Sequence, residues 1–158
     1  MNQVYIALGS NLGNRLENIQ SAIKILATHI ANLKLSEIYE NEAVGMENGH
    51  FHPFMNAVLF GNTNLEAKEL LKFLLETELK LGRTRNTSKG HVSRVIDLDL
   101  LMFNQLISTE NDLILPHPRM HERIFVLKPL MDLKPDLEIP GLSNNVQHFY
   151  QILLSVKC

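Results

Sequence analysis

Asp97 and Asp99 lie two residues apart in "SRVIDLDLLMF" (93–103), a segment otherwise made of the β-branched and large apolar residues of a strand. Aspartate is poor in strands and rarely buried without a partner. In a strand, side chains at i and i+2 point to the same side. Asp97 and Asp99 therefore face one way, while Ile96, Leu98 and Leu100 face the other and can pack on helices. Two carboxylates about 7 Å apart at Cα repel unless something positive sits between them. A hard divalent cation such as Mg²⁺ meets that need, because it takes oxygen ligands and leaves positions for phosphates. The alternative is a pair of edge-strand carboxylates matched by arginines.

Cations cluster around this pair. Arg83, Arg85 and Lys89 lie in the preceding loop, and Arg94 is three residues ahead of Asp97. Arg119 and Arg123 follow, beside His117 and His121. Arginine forks suit phosphate oxygens; a solvated basic loop is the plainer explanation. Carboxylates for a hard metal beside flexible arginines are the equipment of phosphoryl transfer. Glu78 falls among Ala67, Leu71 and Leu74 in the apolar stripe of a helix. A carboxylate there needs a partner, either an arginine or the hydroxyl of a ligand. Phe54 and Asn56 share one strand face, where a ring and an amide can hold a flat heterocycle, although such a pair also serves structure alone. "GSNLGNR" (9–15) matches neither the G-x-G-x-x-G nor the Walker pattern and is expected to be a tight turn and helix cap. His50 and His52 are expected in a water-exposed loop.

The elements that must position these residues follow from periodicity. "QVYIAL" (3–8) is a first strand. Leu16, Ile19, Ile23, Leu26 and Ile30 step by three and four, the stripe of an amphipathic helix, and Asn14 with Glu17 resembles a capping box. "LKLSEIYE" (33–40) and "FMNAVLF" (54–60) are strands, separated by the long connection 41–53. A second helix spans 65–81, a polar loop 83–93, and the aspartate strand comes next. "LPHPRM" makes a turn, "HERIFVLKPLMDL" holds a short helix, and 144–156 is a last helix. The core order is β-α-β-β-α-β, so an α+β, ferredoxin-like fold is expected. It would have a mostly antiparallel sheet with helices packed on one face, plus C-terminal additions, leaving the other face for a ligand.

With 158 residues, a single domain over 1–158 is expected. The net charge of −2 offers no general basic field for nucleic acid. Cys158 is the lone cysteine, so there is neither a disulfide framework nor a cysteine metal site, and a reducing cytoplasm fits. The start "MNQVYIALGSN" lacks a basic region followed by an apolar run, so no signal peptide is expected. No apolar run approaches the length that spans a membrane.

Four pieces in this order resemble hydroxymethyldihydropterin pyrophosphokinases, enzymes of folate biosynthesis: "YIALGSNLGNR", "GRTR" at 82–85, "RVIDLDLL" at 94–101 and "LPHPRMHERIFVLKPL" at 115–130. The resemblance covers nearly the whole chain. It implies a ferredoxin-like core and transfer of pyrophosphate from MgATP to the pterin's hydroxymethyl group, with release of AMP. It implies that Asp97 and Asp99 bind two Mg²⁺ ions bridging the triphosphate. Arg83, Arg85, Arg94, His117 and Arg123 match phosphate and ATP contacts, and Glu78 and Leu100 match positions near the nucleoside. Phe54, Asn56 and Phe125 match the pterin pocket, with Asn41, Glu42 and Val44 at the pterin's edge. Arg83, Arg94 and Asp97 are the catalytic candidates, with Asp97 also touching the pterin. ATP and the pterin are the expected partners of a monomer. One stretch departs: where the family commonly has a basic residue, a tryptophan and Gly-Pro-Arg, the chain has "SKGHVSR". Arg94 is kept, His91 stands near the tryptophan's place, and Lys89 takes that of an arginine. The loop 83–93 is expected to order over the bound ligands. Two rivals remain: another metal-dependent nucleotidyltransferase or phosphohydrolase, and an RNA-binding module of the same element order. The latter needs central-strand aromatics and a basic surface, and the first strand offers only Tyr5.

Overall fold

The computed structural model describes residues 1–41, 53–82 and 95–156. Glu42, Val44, His50 and His52 lie outside the described residues, as do Arg83, Arg85, Lys89, His91 and Arg94 of the expected covering loop.

Strand β1 (Asn2–Ser10) is the organising element. Val4, Ile6 and Leu8 turn to one face and Tyr5 and Ala7 to the other, each set joining a separate apolar cluster. Around it the sheet runs β2 (Ile30–Leu35), β4 (Phe54–Thr63), β1, β5 (Asp97–Phe103), with every neighbouring pair antiparallel. A short β3 (Tyr39–Asn41) also pairs with β4, beyond β2 on the same edge. Helices α1 (Arg15–Leu26) and α2 (Ala67–Lys80) pack on the Val4 face through Ile19, Ala22, Leu26, Leu70 and Leu74, all fully buried. Each large side chain buried there contributes about 1.5–3 kcal/mol.

The expected C-terminal additions are α3 (Ile124–Leu133) and α4 (Val146–Val156). They pack on the second face of the sheet, where Val126, Leu127 and Leu130 meet Tyr5, Val58, Leu101 and Met102. That face, expected to be left for a ligand, is thus roofed at one end, and at the other the described residues leave a cavity.

Local details differ from the periodicity. Ile30 leaves the helical stripe: the N–H groups of Thr28 and His29 close a turn on Ile25 and Leu26, and Ile30 opens β2 opposite Thr63. A spacing of four from Leu26 is compatible with either element when the chain turns between them. Asn14 caps α1 by accepting the Glu17 N–H at 3.1 Å, with Gly13 at φ 64 bringing the chain into the helix. The reciprocal capping box sits on α2, where Glu66 and Glu69 exchange bonds. The expected strand 33–40 is divided at Ser36. The Ser36 N–H still donates to the Val58 carbonyl at 3.0 Å, but the Val58 N–H goes to the Ser36 hydroxyl at 2.9 Å, so a side chain takes one backbone acceptor's place between β2 and β3. A hairpin of β6 (Ser108–Glu110) and β7 (Leu113–Leu115) was not expected at all. Its strands are too short to show a period.

Candidate active site

The open end of the sheet floors a cavity of about 1140 Å³. A row of residues crosses that floor from strand to strand. Asp97 of β5 pairs with Gly9 of β1, Gly9 with Asn56 of β4, and Asn56 with Tyr39 of β3. Asp99 lies opposite Ala7 in the next row. The two β1 positions facing the cavity are thus the smallest side chains available. A Cβ on Gly9 would stand 3.0 Å from Asn56 Oδ1 and 3.5 Å from the Phe54 ring, so the glycine leaves room for both.

A bulge in β5 sets this geometry. The pairing with β1 shifts between Tyr5 and Ile6, and Leu101 is the extra residue. Before the bulge, Leu98 and Leu100 bury toward the helices while Asp97 and Asp99 line the cavity; after it, Leu101 and Met102 both join the second core. The Leu101 carbonyl accepts the His117 N–H at 2.8 Å and fixes that residue on the rim. His117 Nδ1 in turn accepts the Arg119 N–H at 3.2 Å, so the neutral ring carries its proton on Nε2. Burial pushes the His117 pKa down, the positive charges of Arg123 and Arg119 add to this, and Asp97 opposes it. A neutral imidazole that donates from Nε2 suits a phosphate oxygen.

Glu78 is 1% exposed, and its Oε2 accepts the Leu98 N–H at 2.9 Å. Leu98 lies between the two aspartates on the sheet's edge, so this bond covers an edge N–H and locks the strand that carries them. One partner of Glu78 is thus a backbone group, a role that periodicity does not reveal. Across the cavity, Asn56 Nδ2 donates to Asn41 Oδ1. The Arg123 guanidinium sits 5.6 Å above the Phe125 ring at the start of α3. Pro129, one turn on, cannot donate to the Phe125 carbonyl, which loosens the helix there.

Asn41, Phe54, Asn56, Glu78, Asp97, Asp99, Leu100, His117, Arg123 and Phe125 all line this one cavity. Residues 42–52 and 83–94 lie outside the described residues, so Glu42, Val44, Arg83, Arg85 and Arg94 are not placed. The structure adds Ala7 and Gly9 in the floor, and a wall made by the β6–β7 hairpin with Leu71 and Leu75. Lys68 ties that hairpin to α2 through Glu110 at 2.8 Å and Asp112 at 3.6 Å. The alternation of "VYIALGS" could have exposed the floor residues, and the Asn111-Asp112 pair was the one turn signal in the hairpin.

Among the described residues, no group of three or more His, Cys, Asp or Glu could hold a metal by itself. Mg²⁺ is commonly held by one or two carboxylates, with water and substrate phosphates completing the shell. Asp97 and Asp99, all-oxygen donors on one strand face, fit that ion.

Residues 5–135 match the family described as 7,8-dihydro-6-hydroxymethylpterin-pyrophosphokinase (HPPK). The chain is 42% identical to the 2-amino-4-hydroxy-6-hydroxymethyldihydropteridine pyrophosphokinase of Bacillus subtilis, over 87% of this chain and 81% of that one. It is 38% identical to the protein of the same name from Porphyromonas gingivalis, over 84% of this chain and 90% of that one. The crystal structure of Plasmodium falciparum HPPK-DHPS shares the fold, with a TM-score of 0.75 and 15% identity over 98% of this chain and 44% of that longer one.

Proposed function

The chain belongs to the 7,8-dihydro-6-hydroxymethylpterin-pyrophosphokinase family, and from that premise we propose which of its residues carry the reaction. The reaction is transfer of pyrophosphate from ATP to 6-hydroxymethyl-7,8-dihydropterin in folate synthesis, by an ATP-dependent diphosphotransferase. The hydroxymethyl oxygen attacks the β-phosphorus, the bond from that phosphorus to the α,β-bridging oxygen breaks, and AMP leaves with that oxygen.

The observation that carries the assignment is the row Asp97–Gly9–Asn56 across one cavity floor. It puts a carboxylate at one end and an amide at the other, with only a glycine between. Asn56, Asn41, Phe54 and Phe125 hold the pterin, the amides reading its polar edge and the rings its faces, with Glu42 and Val44 at the edge beyond Asn41. His117 and Arg123 take phosphate oxygens, together with Arg83, Arg85 and Arg94, and Glu78 and Leu100 flank the nucleoside. Asp97 and Asp99 would hold two Mg²⁺ ions, which would supply charge neutralisation of the triphosphate and polarisation of the β-phosphoryl group. In this reading Asp97 takes the proton of the attacking hydroxyl, and Arg83 and Arg94 stabilise charge on the phosphoryl oxygens. A single domain over 1–158, monomeric and cytoplasmic, belongs to the same proposal; among the described residues no helix is long and apolar enough to cross a membrane.

Product analysis tests it. Incubation with MgATP and the hydroxymethyl pterin should give AMP and the pterin diphosphate in equal amounts. Release of pyrophosphate or inorganic phosphate instead would assign the aspartates to another phosphoryl chemistry, and tight RNA binding without turnover would remove the enzyme reading.

A further inference from the structure

The motif "GSNLGNR" ends in Arg15, which neither the cavity nor the reaction uses. Its side chain nevertheless makes two specific bonds. Nη1 donates to the Pro53 carbonyl at 2.7 Å, and Nη2 to Glu40 Oε2 at 3.1 Å. Pro53 immediately precedes Phe54, and Glu40 immediately precedes Asn41. Among the described residues the last rung between β3 and β4 is Asn41 with Phe54, so Arg15 ties the two strands together beside that rung. The arginine is the first residue of α1, a helix anchored in the core by Ile19, Ala22 and Leu26, and its side chain is only 25% exposed.

A strand of three residues on a sheet edge has little to hold it. By strand alternation, Glu40 faces away from Tyr39 and Asn41. On the Tyr39 side, the phenol donates to Asp132 Oδ2 at 2.7 Å and Lys128 Nζ lies 4.4 Å from the ring centre. β3 is therefore gripped from both faces, by α3 on one and by Arg15 on the other, with Asn41 presented to Asn56 between them.

We propose that Arg15 is a positioning residue for the pterin half of the site: its forked bonds to Glu40 and Pro53 set the distance between Asn41 and the Phe54–Asn56 face. This rests on the assignment of Asn41, Phe54 and Asn56 to the pterin. The planar fork matters, because one ammonium cannot reach both acceptors with the same geometry. A partly exposed arginine–glutamate pair adds little to global stability, so the effect belongs in ligand binding and not in melting.

The test uses the full chain, with calorimetric titration of 6-hydroxymethyl-7,8-dihydropterin and, separately, of Mg²⁺ with α,β-methylene-ATP. Arg15→Ala should raise the pterin Kd about tenfold, the effect of losing one charge-assisted hydrogen bond. The nucleotide Kd should stay within about twofold, since nothing tied to Arg15 faces the aspartates. Glu40→Ala should act the same way but more weakly, and the double variant should be no worse than Arg15→Ala alone. Arg15→Lys should fall between, and with Glu40→Ala it carries the test if Arg15→Ala does not fold. An unchanged pterin Kd, or equal losses for both ligands with a lowered Tm, overturns the proposal. Asn56→Ala, run alongside, separates the two claims. If it weakens pterin binding while Arg15→Ala is silent, only the tie is wrong; if Asn56→Ala is itself silent, the pterin assignment fails and the tie fails with it.

Discussion

β5 and β3 lie on opposite edges of the same sheet, and both deliver side chains to one cavity. They are built in opposite ways. β5 has seven residues, most of them buried, a ladder to β1 on both sides of its bulge and a buried carboxylate covering its edge. β3 has three residues, none buried, and is held by side-chain bonds reaching in from two helices. On the proposed assignment, the chemistry that places charge against a triphosphate belongs to the stiff edge, where a small displacement costs rate. On the same assignment, the tied edge supplies Asn41 to the flat ring beside Phe54 and Asn56 of β4, and individual bonds there can be removed without unfolding the sheet.

The sharpest break in that contrast comes from the stiff edge. Asp97→Asn and Asp99→Asn should each lower kcat by about 10³-fold or more, because a lost metal ligand removes several kcal/mol of transition-state stabilisation. Melting should change little, since both side chains line the cavity and the core contacts of β5 come from Leu98, Leu100, Leu101, Met102 and Phe103. A rate within about tenfold of the parent in either variant would move the chemistry off β5.

Gly9 joins the two edges, and Gly9→Ala should separate them. The new methyl would press on Asn56 Oδ1, which must give by a few tenths of an ångström, while Asp97 on the other side of β1 is not among its three nearest neighbours. Pterin affinity should fall about tenfold and nucleotide affinity by less than about twofold, read by titrating each ligand separately. If nucleotide binding fell as much as pterin binding, the floor would be one rigid unit and the two-edge description would be wrong.

The same contrast explains what was legible in the amino-acid order. Asp97 and Asp99 stood out because strand alternation leaves Leu98 and Leu100 no other way to bury, and the element order fixed the antiparallel core. β3 could not be told from β2, since the break between them is made by one serine hydroxyl on Val58, a bond with no signature in the order of residues. Glu78 was visible as an oddity, yet its acceptor role toward Leu98 spans 20 positions. Arg15 gave no signal, because its acceptors lie 25 and 38 positions away and one of them is a backbone carbonyl. Residues whose role is a period are readable; residues whose role is a tie become visible only once the chain has folded.

The smallest expected effect probes the second tie on β3. The Tyr39 phenol has its pKa pushed up to about 12, first by its hydrogen bond to Asp132, then by burial and by the negative charges of Asp132 and Glu37. Only the neutral phenol can donate to Asp132, so ionisation breaks the tie. Because the folded value lies above the unfolded one near 10, the bond's contribution is fully present below about pH 10 and is lost as pH rises through about 12. Absorbance titration at alkaline pH should therefore show a phenol ionising near pH 12 that is missing in Tyr39→Phe. At pH 8 the same substitution should weaken pterin binding only about threefold, since the ring still packs under Lys128 and Asp132 still accepts the Glu37 N–H at 3.2 Å. A difference spectrum with its midpoint near 10 would mean that Asp132 does not hold the phenol in solution. In that case Arg15 alone would restrain β3, and Arg15→Ala should then cost more than the tenfold expected of it.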